Sequence, residues 1–500
     1  MFGKVWDKVR QVMYRMGIYG GIKDVLDKKE LKINDEMYEM IKIWEQLYKG
    51  YYSEWHDVYY QTIAGREYRR MASMNMPKVV SQEMASLVFN EKCKINISDN
   101  ALGQEIEKIF VKNNFYREMQ KYLEYMFGMG GMVIKPFVEN GELKLSYVAP
   151  SAFIPISYNN ERITECVFKN VFFRQGKKYT LLEWHLWEKD REGGNKYVIK
   201  NELYESKDIN GDELGVKIPI TTFYDNLAER AEFKGYRGSW FVYFKPNTAN
   251  NIDFKSPLGV PIYANALDTL HSLDIAFDSF QREFRLGKKR IIVPTKAIRH
   301  TIDPETGERH RYFDTRDEVY EAFDFENEEQ FHDINVVLRV EEHVNAINTL
   351  LKVLAMQVGF SPGAFTFDGQ GVKTATEVIS ENSKTFRTKQ SHETIIENGI
   401  RELIRVIIEV AEEYGIFTVS GEPEVTIEFN DSVAEDKTAV VNRQIYLVTN
   451  KLTSLKRAIM KVHGVGEEEA ERILQEIREE NQTATAEAVD FFGINRAGER

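Results

Sequence analysis

Two stretches of the chain carry apolar residues at alternating steps of three and four. In the first, Tyr263, Ala266, Leu270, Leu273, Phe277, Phe280 and Phe284 follow that rhythm, and in the second Val344, Ile347, Leu351, Leu354 and Val358 do. The spacing predicts two helices packed along their length. Between them, residues 288–339 are charged, strand-rich and too long for a turn, which predicts a small module carried at the tip of a helical hairpin. A third stretch, Thr374 to Tyr414, reads as one helix of about 60 Å at 1.5 Å per residue. Ile396, Ile400, Leu403, Ile407 and Val410 share one of its faces, and Gly399 is a candidate kink.

Elsewhere the pattern is mixed. Ile33 to Asn90 has helical spacing, as does Ala101 to Phe127. Alternation, the Asn140-Gly141 turn and the breaks at Pro150 and Pro155 then predict strands to about Tyr204. Residues 225–243 fit no single period. Lys245 to Pro257 reads as a loop, with Pro257 and Gly259 opening the first hairpin helix, and "EVTIEF" reads as a strand before a helical C-terminal segment. The fold class is therefore α+β.

At 500 residues, 43% hydrophobic and 29% charged, the chain has material for two to four domains with real cores. No apolar run approaches the roughly 18 residues of a membrane span. The nearest, Tyr125 to Ile134, is broken by Gly128, Gly130 and Gly131. Lys4, Lys8 and Arg10 interleaved with Val5, Val9, Val12 and Met16 predict a peripheral amphipathic helix without a secretory pattern. Cys93 and Cys166 stand alone, which fits a reducing compartment and no disulfide.

A net charge of −12 argues against a surface that grips nucleic acid all over, so any such contact is local or weak. The insert is split in charge. Arg282, Arg285, Lys288, Lys289, Arg290, Lys296, Arg299, Arg309 and Arg311 crowd the approach to it and its first part, whereas Asp317, Glu318, Glu321, Asp324, Glu326, Glu328, Glu329 and Asp333 follow without a lysine or arginine among them. The two halves are either solvated or paired within one subunit, or they pair between neighbouring copies in a ring.

Candidate chemistry is sparse. Gly369, Gly371, Lys373 and Thr374 lack the spacing and the preceding strand of a phosphate-cradling loop, and instead suggest a mobile glycine loop presenting Phe365, Phe367, Asp368 and Lys373. "GVGEEEAERIL", from Gly464, matches the glycine hairpin of helix-hairpin-helix DNA binders. Its Glu467, Glu468 and Glu469 suit a helix start but repel phosphate. No catalytic motif, metal-ligand pair or cofactor fingerprint is present, so the expectation is a non-enzyme without cofactor or metal.

Taken together, "WEQLYKG" (44–50), "EMASLVFNE" (83–91), "GGMVIKP" (130–136), "NNIDFKSPLGVPIYANA" (250–266), "DSFQREFRLGKKRIIVP" (278–294) and "FTFDGQGVKTATEV" (365–378) resemble the portal proteins of tailed bacteriophages, especially the branch common in phages of Gram-positive hosts. The resemblance covers nearly the whole chain. It implies a ring, typically of twelve subunits, at one capsid vertex of the virion, assembled in the host cytoplasm, through which DNA enters and leaves. It also implies a wing (1–255), a first stem helix (256–287), a clip (288–339), a second stem helix (340–359), a tunnel loop (360–373), a long wing helix with a return strand (374–430) and a crown (431–500).

The same resemblance supplies candidate sites. The tunnel loop would offer Phe365, Thr366, Phe367, Asp368, Gln370, Val372 and Lys373 to passing DNA, and the stem would offer a polar stripe of Glu341, Asn345, Asn348 and Lys352. Arg290, Lys296, Arg299, Glu318, Glu321 and Glu326 would serve subunit contacts or docking in the clip. Implied partners are further copies of the chain, duplex DNA held weakly and without sequence preference, the large terminase subunit, a head-completion or adaptor protein, and capsid and scaffolding proteins; no membrane is implied. Two other readings remain at this point: a DNA-binding or DNA-processing protein using the C-terminal hairpin, and a head or scaffold protein without a channel.

Overall fold

The computed structural model describes residues 35–62, 65–90, 93–159, 162–190, 193–209, 214–236, 238–287, 290–292, 299–302, 306–307, 309–312, 332–334, 337–367, 375–418, 421, 423–429, 437–467 and 469–479. The chain divides into two compact units, one of residues 1–372 with 381–429 and one of residues 373–380 with 430–500. The amphipathic helix expected at the N-terminus lies outside the described residues.

The first unit opens with helix α1 (Asp35–Tyr48), which buries Met37, Ile41, Trp44 and Leu47 at helical spacing. The expected helical run to Asn90 is then interrupted. After a single turn, α2 (Ser53–His56), the chain forms an antiparallel hairpin of β1 (Asp57–Thr62) and β2 (Gly65–Arg70), in register from Asp57↔Arg70 to Thr62↔Gly65. Helix resumes at α3 (Met76–Val88) with Pro77 in its first turn.

Beyond β3 (Lys94–Ile97) the single helix expected over 101–127 is two, α4 (Asn100–Lys112) and α5 (Phe115–Met129). The Asp99 carboxylate caps α4 by accepting from the Ala101 and Leu102 N–H groups. The break falls at two asparagines. Asn114 takes a left-handed φ of 48°, while the Asn113 amide bonds the backbone of Leu143 and Leu145.

Strands follow as the alternation predicts. β4 (Met132–Glu139) and β5 (Glu142–Val148) form a hairpin, and β6 (Phe153–Tyr158), β7 (Ile163–Arg174), β8 (Lys177–Lys189) and β9 (Asn195–Ser206) form an antiparallel meander. β10 (Val216–Ile218) and β11 (Arg230–Lys234) both pair with β9, and β12 (Val242–Phe244) pairs with β4. The unassigned region 225–243 thus supplies two short strands.

The first hairpin helix starts later than its sequence suggests: α6 spans Leu267–Leu286, and residues 256–266 are loop and turn. Here the chain crosses the end of α5 backbone against backbone. A Cβ on Gly130 would sit 2.6 Å from the Gly259 carbonyl oxygen, and one on Gly259 would sit 2.3 Å from that of Gly130. Tyr263, expected in the helical seam, instead plugs this crossing, donating from its hydroxyl to the Gly128 carbonyl at 2.5 Å.

In the insert, β13 (Arg290–Ile292) pairs with β16 (His332–Ile334), and β14 (Arg299–Ile302) pairs with β15 (Arg309–Tyr312). α7 (Val340–Gln357) returns along α6, and the long helix α8 spans Ala375–Glu413 as expected. Gly399 makes no break in it. A Cβ there would lie 2.2 Å from Cε1 of Phe244, so the glycine allows α8 to pack on β12. β17 (Val425–Glu428) closes on β3.

One continuous core joins α1, α3 to α5, the sheets, the root of the hairpin and the apolar stripe of α8. Each large side chain buried there contributes about 1.5–3 kcal/mol. Cys93 and Cys166 are both buried free thiols. The second unit includes α9 (Lys437–Thr449), α10 (Leu455–His463) and a helical stretch over 469–479, with Ala458, Ile459 and Ala470 buried.

Candidate functional site, the helical hairpin and the root of its loop

The hairpin is built on Leu270 and Leu273 of α6 and on Ile347, Leu351 and Leu354 of α7, all buried. Toward the insert the seam opens: Phe277 and Phe280 are half-buried and Phe284 is exposed. Apolar contact alone therefore weakens along the hairpin, and polar clamps appear at its insert end and midway along α6.

At the insert end, Arg339 immediately precedes α7. Its guanidinium bonds Glu283 of α6 through Nε at 3.1 Å and Nη2 at 2.9 Å, and its own N–H donates to the same carboxylate at 3.2 Å. These bonds hold the Glu283 carboxyl down to about 2. The two helices are thus locked together where the insert departs.

Midway along α6, Asp274 and Asp278 lie one turn apart, both buried. Asp274 accepts from the Met74 N–H at 2.8 Å and the Ser73 hydroxyl at 3.1 Å, and its Oδ2 lies 3.1 Å from Nε2 of buried His56. Asp278 takes a bidentate contact from Arg69 at 2.7 and 2.8 Å and the Ala72 N–H at 3.1 Å. Burial pushes the Asp278 carboxyl up, but the Arg69 and Ala72 bonds outweigh it and the group stays below its ordinary value. These carboxylates moor the segment after β2, and with it the β1–β2 hairpin, to α6. They are invisible to pattern reading, because an acid in an apolar stripe looks like an exposed position.

The chain after α7 is equally fixed. The Ser361 N–H donates to Oγ1 of Thr385 at 2.9 Å, the two hydroxyls meet at 3.1 Å, and the Lys384 ammonium donates to the Met356 carbonyl at 2.5 Å. Phe365, expected to be presented, is instead buried against Phe360 with ring centroids 5.0 Å apart. Phe367 is partly exposed and packs edge-on to Phe280 at 5.7 Å, while its N–H donates to Oδ1 of Asn348 at 2.8 Å. Thr366 is exposed; Asp368, Gln370, Val372 and Lys373 lie outside the described residues.

Of the polar stripe on α7, Glu341, Asn345 and Lys352 are exposed, and Asn348 is the loop anchor just described. In the insert, Arg290 and Arg299 fall on β13 and β14, and Lys296, Glu318, Glu321 and Glu326 lie outside the described residues. Among the described residues no helix is long and apolar enough to cross a membrane, and no cluster of three or more His, Cys, Asp or Glu could hold a metal ion.

In the second unit, Gly464 ends α10 in a left-handed conformation, and Lys456 reaches both Glu467 at 2.8 Å and Glu471 at 3.3 Å. Carboxylates thus occupy the turn where a helix-hairpin-helix module would hold a phosphate.

Comparison with curated proteins gives no match. The family model described as "Phage portal protein, SPP1 Gp6-like" matches residues 27–483, which takes in both units, the hairpin with both its clamps, and the root of the loop. The chain belongs to the phage portal family, a structural component of the virion that joins head to tail.

Proposed function

We propose that this portal subunit closes into a ring whose channel carries double-stranded DNA during packaging and ejection. The carrying observation is the hairpin: two helices clamped by Glu283–Arg339 at the insert end, the first of them moored midway along its length through Asp274 and Asp278. A stiff rod with a module at its tip suits a part that stands between a capsid vertex and external machinery. In this reading the insert meets the large terminase subunit first and head-completion proteins later, and the ring is typically dodecameric.

The loop after Phe367 faces the duplex, with Lys373 and Lys352 as touching points and Glu341 and Asn345 on the channel wall. Contact is weak and independent of sequence, because each neutralised phosphate adds salt-sensitive affinity that would hinder sliding. An excess of acids over bases, 78 to 66, fits that demand. The subunit itself hydrolyses nothing, and the terminase supplies the energy.

The test is electron microscopy of the purified full-length protein, followed by packaging with loop variants. A closed ring with an axial hole of about 20 Å, the width of a duplex, supports the reading. Particles without an axial hole overturn it. A C-terminal DNA-binding function is the weaker reading, since Lys456 is already engaged by Glu467 and Glu471.

A further inference from the structure

A cavity of about 460 Å³ lies beside the fixed root of the loop, between the end of α7, one face of α8 and the segment 247–265. In a chain where acids outnumber bases, its lining is anomalous: Lys384 and Arg387 are present, and no carboxylate is, among the described residues. Arg387 is exposed and makes no ion pair among the described residues. Lys384 spends one donor on the Met356 carbonyl and has two more.

The third donor is less obvious. His392 lines the same cavity one helical turn and more beyond Arg387, and only 3% of it is exposed. Its Nδ1 accepts the Asn247 N–H at 3.1 Å, and burial lowers its pKa to about 4. At neutral pH the ring therefore carries a single proton, which must sit on Nε2. Nε2 makes no hydrogen bond to protein among the described residues, which leaves that N–H to serve a ligand entering the cavity it lines. The hydroxyl of Thr388 and the polar side chains of Thr248 and Asn265 complete the lining.

We propose that this cavity is an oxyanion site that takes a phosphate group, either free or as a phosphodiester. A tetrahedral anion can accept from the α8 donors and from the facing segment together, whereas the two oxygens of a carboxylate serve fewer directions. The inference concerns this chain alone and stands whether or not the ring reading holds.

The experiment uses full-length protein with labelled histidine imidazoles, titrated with inorganic phosphate against chloride at matched ionic strength. The expected result is a saturable shift of one imidazole resonance that is absent in His392→Gln. Arg387→Ala, an exposed position that leaves the fold intact, should weaken the titration at least tenfold. Competition by a short DNA duplex would assign a phosphodiester as the source, and no competition would assign the free anion; either supports the site. Absence of a saturable shift overturns the proposal, as does an equal response to acetate, or an unchanged titration in Arg387→Ala.

Discussion

The side-chain oxygen of Asn348 accepts the backbone N–H of Phe367 at 2.8 Å, tying the start of the loop to the middle of the second hairpin helix. Asn348 therefore acts as a tether, which a polar stripe read from sequence does not distinguish from a channel-facing residue.

Asn348→Ala removes that acceptor. The expected loss in global stability is about 0.5–1.5 kcal/mol, as for a single hydrogen bond. The larger effect is local: hydrogen exchange at the Phe367 amide should accelerate well beyond that of the α7 core. Equal protection in both proteins would show that the ring contact with Phe280 alone holds the loop.

Gly399→Ala tests why that glycine is there. Helix propensity alone favours alanine by about 1 kcal/mol. The added methyl group would meet the Phe244 ring at 2.2 Å, so denaturant unfolding should instead show a loss of about 1–3 kcal/mol. Combining it with Phe244→Leu should recover part of that loss. A stabilised single variant would return Gly399 to the role of a kink.

Stability should decline as the pH falls below about 6.5. Unfolded, His392 binds its proton near 6.5; folded, only near 4. Between those values the unfolded chain takes up a proton that the folded chain refuses, so stability falls by up to about 3 kcal/mol as pH drops through that window. Burial also lowers His185, although its partner Glu183 opposes this, and the direction is the same. Denaturation curves at pH 7 and pH 5 check this, and His392→Gln should flatten the dependence.

Exchanging Glu283 and Arg339 tests the clamp at the insert end. Glu283→Arg or Arg339→Glu alone places like charges together and should raise hydrogen exchange in the last turn of α6 and the first of α7. The double swap should restore protection. No difference between single and double variants would remove the clamp from the account of the hairpin.

The sequence made some elements legible and hid others for identifiable reasons. The long helix α8 was readable because Ile396, Ile400, Leu403 and Ile407 keep one face apolar and all four are buried. The β1–β2 hairpin was not, because Tyr59, Tyr60 and Tyr68 are exposed and a strand with no buried face shows no period. Tyr263 and Ala266 kept the rhythm of a helix while packing in the turns before it, at 0% and 1% exposure, since burial and not helicity is what apolar spacing reports. For the candidate site, the paired helices were visible, but Asp274, Asp278 and the Arg69 contact depend on chain segments some 200 residues apart.

The Ser361–Thr385 pair makes a mechanical statement about the polypeptide between them. With both feet of that span bolted together, pulling on it cannot be absorbed by one strand paying out; tension reaches the end of α7 and the flank of α8 simultaneously.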